Sequence, residues 1–143
     1  DGMELSPKAK IMKEGSDITI ITNGETLQEC IEAVDELAKQ GIDAELIHMP
    51  FVKPFDGNAV IKSAKKTGLV LTVENHSIKG ALGSAVCELL SEQLPTRVIR
   101  LGINDQFGMS GTAGELMDYF GLNSKGIVKK VVEIKNDTIK SSN

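Results

Sequence analysis

The hydrophobic period of this chain switches repeatedly between two and 3.6, and that alternation restricts the fold more than any single residue does. Residues 17–22 (DITIIT) form a short β-branched run of the kind that packs on a pleated surface. From about Glu25 to Lys39, the apolar residues Leu27, Cys30, Ile31, Val34, Leu37 and Ala38 recur on one helical stripe, with Gly41 just past its end, where a left-handed cap belongs. Residues 43–49 (DAELIHM) read as a second strand, followed by a loop bracketed by Pro50 and Pro54. Asp56 is a natural N-cap for a helix over about 57–67, which Gly68 ends. Residues 69–74 (LVLTVE) begin almost wholly apolar, as a strand does when helices cover both faces of its sheet.

The same alternation continues to the end. A helix over about 81–93 carries Leu82, Ala85, Val86, Leu89 and Leu90 and stops before Pro95. A fourth strand covers 97–101, and a glycine-rich loop, 102–111, leads to a helix over about 112–120 that Gly121 closes. Asn123 caps a last helix bearing Ile127, Val128, Val131 and Val132. Strands alternating with helices of this length specify parallel βαβ units, hence a three-layer α/β/α sandwich. Residues 8–13 (KAKIMK) read as a further short edge strand, so one domain spans 8–135, with tails at 1–7 and 136–143.

Composition agrees with this picture and excludes several roles. With 41% hydrophobic residues, the 143-residue chain can build one core, and with only 3% aromatic residues and no Trp that core must be Val, Ile, Leu and Ala. A net charge of -4 and the lack of stacking side chains argue against nucleic acid and membrane-surface partners. No apolar run is long enough to span a bilayer and no leader is visible, so a cytoplasmic place is expected. Cys30 and Cys87 both fall in or beside helix stripes and read as buried free thiols rather than a disulfide.

In an open α/β sheet, ligands bind outside the carboxyl ends of the strands. Four loops lie there: Asn23-Gly24, 50–55, 75–80 and 102–111. Asn23-Gly24-Glu25-Thr26 lacks a phosphate-loop pattern and reads as a tight turn with a helix cap. Glu74, Asn75 and His76 precede Gly80-Ala81-Leu82-Gly83 at a helix start; a carboxylate beside a histidine suits acid–base work, and equally a hydrogen-bonded pair that fixes a loop. His48, His76, Cys30 and Cys87 show no zinc-ligand spacing. Asp105 shares its loop with Gly108, Ser110 and Gly111, but Gly-Met-Ser-Gly has no histidine after it, so a hydrolase triad is rejected in favour of a contact surface.

Four stretches, in this order, resemble one family: Gly15–Gly24 (GSDITIITNG); Gly41-Ile42-Asp43-Ala44 with Phe51–Asp56 (FVKPFD); Val73–Val86 (VENHSIKGALGSAV); and Gly102–Gly111 (GINDQFGMSG). Together they resemble the C-terminal domain shared by transketolases, deoxyxylulose-phosphate synthase and the beta subunits of 2-oxoacid dehydrogenases. The likeness is nearest to the split transketolases, whose second polypeptide ends in such a domain. The family usually has a second glutamate where Asn75 stands and a paired glycine where Ala81 stands.

The resemblance implies a five-stranded, mostly parallel mixed sheet whose first strand, residues 8–13, is antiparallel at the edge. It implies a whole enzyme of the pentose phosphate pathway that moves a two-carbon ketol unit between sugar phosphates. Thiamine diphosphate and Mg2+ would be held by the N-terminal and middle domains, with no catalytic, cofactor-binding or metal-binding residue in this chain. Those two domains are the implied partners, in a homo-oligomer such as a dimer. By the same resemblance, Glu74, His76, Gly80, Gly83, Asp105 and Phe107 belong to interdomain contacts or a ligand-facing loop. The alternatives are the equivalent domain of the sister enzymes and a small anion-binding regulatory module, which the helix N-termini gathered at one edge of the sheet suggest.

Overall fold

The computed structural model describes residues 8–50, 55–77, 81–103 and 113–142, the side chains of 76, 77, 113 and 138–142 excepted. The strands are β1 (Lys10–Lys13), β2 (Ile18–Thr22), β3 (Ala44–His48), β4 (Leu69–Ser77) and β5 (Arg97–Ile103). The helices are α1 (Leu27–Lys39), α2 (Gly57–Thr67), α3 (Ala81–Gln93), α4 (Ala113–Tyr119) and α5 (Ser124–Ser142). The sheet order is β1-β3-β2-β4-β5, with β1 antiparallel to β3 and every other pair parallel. The antiparallel edge strand and the mixed five-stranded sheet expected from the resemblance are both present.

Strand β2 lies at the centre and all five of its residues are buried. Its side chains alternate between two cores, as the period of two requires. Ile18 and Ile20 pack with Cys30, Val34 and Leu37 of α1 and with Ile127, Val131 and Ile134 of α5. Ile21 packs on the other face with Val60 and Ala64 of α2 and Leu82, Val86 and Leu90 of α3. The α1 crossover carries the chain one way along the sheet and the α2 crossover carries it back past β2. Right-handed connections therefore place these helices on opposite faces.

Local signals explain most boundaries. Asp56 Oδ1 accepts from Ala59 N at 3.3 Å, and Asn123 Oδ1 accepts from Gly126 N at 2.7 Å. Gly41 and Gly68 hold φ of 82° and 73°, the left-handed angles expected of them. Between β1 and β2 the chain turns tightly over β3: Ser16 N and Asp17 N donate to Asp43 O at 3.1 and 2.8 Å. A Cβ on Gly15 would stand 2.4 Å from the carbonyl carbon of Ala44, so only glycine fits.

Four expectations are corrected. Strand β4 continues to Ser77 instead of ending at Glu74, because pairing with β5 resumes at Ser77↔Ile103 beyond an irregularity after Val73. Strand β5 runs on to Ile103 by the same pairing. Helix α5 extends through Ser142, so the polar tail expected from 136 continues the last helix as far as 142; once a helix is anchored by Ile127, Val131 and Ile134, further turns cost little. Cys30 is buried, whereas Cys87 is half-buried, at the flank of the α3 stripe.

Candidate functional site

Strands β2 and β4 are neighbours, yet the helices that follow them leave to opposite faces of the sheet. The crevice between their carboxyl ends is the topological switch point, where this class of sheet binds what it binds. Its floor is polar and closed. Thr22 Oγ1 lies 2.9 Å from Val73 O, to which it donates, and 2.5 Å from Thr26 Oγ1, so the hydroxyls link β2 to β4 and to the turn that starts α1.

Glu74 stands beside this floor and is 1% exposed. Its Oε1 accepts from Leu82 N at 3.1 Å and its Oε2 from Gly83 N at 2.7 Å. First-turn amides of a helix have no partner within the helix, and a carboxylate there also meets the positive end of the helix dipole. Both oxygens are thus engaged in fixing where α3 begins. Gly83 makes the approach possible: a Cβ there would lie 3.0 Å from Thr72 Oγ1 and from Arg100 Cγ and Cδ. Thr72 Oγ1, buried under this contact, has no hydrogen-bond partner among the described residues.

At the mouth of the crevice, Asn75 Nδ2 donates to Glu25 Oε2 at 2.5 Å, joining the end of β4 to the turn after β2. Sequence reasoning placed Glu25 only in a tight turn at a helix start, and residues 50 apart carry no local signal of pairing. His76 belongs to β4 by its backbone, and its side chain lies outside the described residues, as do Gly80, Asp105 and Phe107. Of the expected site residues, the structure brings Glu74 and Gly83 together, through one hydrogen bond. His48 ends β3, half-buried, in register with Thr22 of β2 and Lys10 of β1.

The remaining reactive groups are held structurally. Burial pushes the Cys30 thiol up to about 12, which leaves it protonated and unreactive at neutral pH. Among the described residues, no three His, Cys, Asp or Glu side chains converge where a cation could sit. Three helix N-termini are filled from within: α2 by Asp56, α3 by Glu74, and α5 by Asn123 and by Glu29, whose Oε1 accepts from Ser124 N at 2.8 Å; α1 has no side-chain cap. No described helix is long and apolar enough to cross a membrane.

A second polar cluster, missed in the sequence, lies at the opposite ends of the strands. Glu45, 3% exposed, pairs with Lys66 and accepts from Gly15 N at 3.1 Å. Burial raises its carboxyl, but hydrogen bonds from Lys66, Ser63 and Gly15 outweigh this and hold it below the usual carboxylate range. The available signal was a lone charge inside the otherwise apolar β3 run.

Comparison with known proteins matches this arrangement to one family. The model for the transketolase C-terminal domain matches residues 7–127. Over 127 residues the chain is 46% identical to a 6-deoxy-6-sulfo-D-fructose transketolase subunit of Clostridium sp. (strain MSTE9), covering 89% of this chain and 39% of that protein. It is 45% identical to a putative transketolase C-terminal section of Methanocaldococcus jannaschii, covering 88% and 39%. A split-gene transketolase solved as an inactive beta4 tetramer superposes with a TM-score of 0.84 at 38% identity, over 92% of this chain and 44% of that one. The chain thus spans about two fifths of the length of these curated relatives. By sequence and by fold, the chain belongs to the transketolase C-terminal domain family.

Proposed function

We propose that this chain is the C-terminal domain of a split transketolase, an enzyme that moves a two-carbon ketol unit between sugar phosphates, and that it supplies assembly surface rather than reacting groups. One observation carries this reading. Glu74, the carboxylate placed where acid–base chemistry would need it, is buried with both oxygens spent on the amides of Leu82 and Gly83. Thiamine diphosphate and Mg2+ would then be held by the N-terminal and middle domains, as the resemblance to the split transketolases implies. The end of β4 with His76, and the segments after β4 and β5 with Gly80, Asp105 and Phe107, contact those domains in this proposal, and Glu74 with Gly83 fixes where α3 begins. A small anion-binding module draws no support from the starts of α2, α3 and α5, which are capped by the chain's own oxygens, while the start of α1 carries no side-chain cap and has Glu25 in the turn before it.

The test is reconstitution. The N-terminal and middle domains are mixed with thiamine diphosphate and Mg2+, and ketol transfer from xylulose 5-phosphate to ribose 5-phosphate is followed with and without this chain. The chain alone should be silent and should raise the activity of the mixture. A mixture indifferent to the chain refutes the assembly role. Activity only with pyruvate and glyceraldehyde 3-phosphate reassigns the parent to the deoxyxylulose-phosphate synthase branch.

A further inference from the structure

The turn between β2 and α1 carries a reactive pair that the crevice beside it leaves unused. Asn23 is half-buried and Gly24 exposed, at the carboxyl end of the central strand. The Asn23 carboxamide caps nothing, and neither it nor the Gly24 N–H meets a hydrogen-bond partner among the described residues. Gly24 holds φ of 45°, and a Cβ there would meet nothing within 4 Å, so no side chain screens its amide nitrogen. The other described asparagines are held differently. Asn123 accepts from Gly126 N and donates to Asp118 Oδ1, and Asn75 lies in β4 and donates to Glu25. Asn58 and Asn136 lie within α2 and α5, where the helix or its cap engages the amide that follows.

We propose that Asn23 is a self-modification site, at which the backbone nitrogen of Gly24 displaces the side-chain amide to give a succinimide that water opens to aspartate or isoaspartate. Asparagine is among the thermolabile residues. The Gly24 nitrogen gives up its proton and bonds to Cγ of Asn23; the Cγ–Nδ2 bond breaks, and Nδ2 leaves as ammonia with a proton to replace the one given up. Water then opens the ring at either carbonyl. Cleavage at Cγ leaves aspartate in an ordinary backbone. Cleavage at the other carbonyl routes the backbone through Cγ and lengthens the turn by a carbon. Either product puts a carboxylate close in sequence to Glu25, whose own carboxylate holds Asn75.

The fold sets the pace of this reaction. The carbonyl of Asn23 and the amide of Gly24 belong to one planar peptide unit. Asn23 O accepts from Thr26 N at 3.3 Å and from Thr26 Oγ1 at 3.1 Å. Ring closure needs the Gly24 nitrogen eclipsed with Cβ of Asn23, whereas Asn23 is extended, at φ -135° and ψ 156°. The peptide unit must swing to react, and swinging breaks both bonds. Thr26 is itself buried and tied to Val73 O of β4 at 3.3 Å, so the floor of the crevice is the lock on the reaction.

The test incubates the folded chain, and the same chain unfolded in guanidinium, at mildly alkaline pH. The peptide carrying residue 23 is read by mass spectrometry, and its isoaspartate is counted by enzymatic methylation. Asn23 should be the first described asparagine of the folded chain to convert, about thirtyfold more slowly than in the unfolded chain, the factor that two ordinary hydrogen bonds impose. The product lowers the net charge of -4 by one and should run as a more acidic band on isoelectric focusing, a band that Asn23→Gln should lose. Thr26→Val removes one of the two bonds and should speed conversion in the folded chain about fivefold, with the unfolded rate unchanged. Thr26→Ser keeps the hydroxyl and should convert at the wild-type rate. Persistence of Asn23 in the folded chain well past the expected interval, or earlier conversion of another described asparagine, overturns the proposal. Equal rates in the folded and unfolded wild type overturn the lock, whether or not Thr26→Val folds. The outcome involves no step of ketol transfer, so it stands or falls apart from the transketolase reading.

Discussion

Replacing Glu74 by alanine tests whether the buried carboxylate is a structural cap. The substitution strands the amides of Leu82 and Gly83, which sit in the first turn of α3 and have no substitute acceptor inside the helix. Hydrogen bonds to a charged acceptor contribute about 1.5–3 kcal/mol each, so two of them amount to about 3–6 kcal/mol. Removing a carboxylate that is 1% exposed also removes its desolvation cost, which offsets part of that loss. The expected net destabilisation is about 3 kcal/mol, the balance of those two effects. At about 3 °C per kcal/mol for a domain of this size, the thermal midpoint should fall by about 10 °C. Glu74→Gln keeps one accepting oxygen and should lose about half as much. Urea unfolding at pH 7, followed by far-UV circular dichroism, measures both variants. A loss below about 1 kcal/mol for Glu74→Ala would mean that water replaces the carboxylate without cost, and would refute the capping role.

Three further perturbations follow from named contacts. Gly15→Ala forces a methyl against the Ala44 backbone at 2.4 Å, so it should cost at least about 2 kcal/mol in the same urea assay, whereas Gly114→Ala, with open space around it, should not. Thr72→Val exchanges an unpartnered buried hydroxyl for a methyl of the same shape, so stability should stay level or rise by up to about 1 kcal/mol, and a clear loss would reveal a partner for that hydroxyl. The Glu45–Lys66 pair shapes the pH profile. Glu45 sits lower in the folded chain than its unfolded value near 4.3, so its stabilisation is full above that value and is lost as pH falls through the lower folded one. Lys66→Met should lower the neutral plateau and flatten that acid limb in pH-dependent melts; an unchanged limb refutes the pairing.

Much of the fold was legible because periodicity is local. The β-branched run of β2, the stripe of α1, Asp56 before α2 and Gly68 after it each report on a few consecutive residues, and each stands where its chemistry indicated. Failures fall where a distant partner decides. Strand β4 outlasts its apolar run because β5 pairs with Ser77, and α5 outlasts its stripe because its first half is anchored on α1 and β2. The family motifs pointed to the segment 74–83, but which group Glu74 meets depends on how α3 packs against β4.

The alternation of periods by itself determined a doubly covered parallel sheet, since continuous apolar strands can be buried only between two helix layers. Tertiary structure alone decided that Glu74 meets the first-turn amides of α3, that Glu25 meets Asn75, and that Glu45 is matched by Lys66. Each of these contacts depends on how one element packs on another, from the adjacent β4 and α3 to Glu25 and Asn75, 50 residues apart, and a side chain's electrostatic role depends on its burial and nearest charges in space, neither of which sequence neighbours supply.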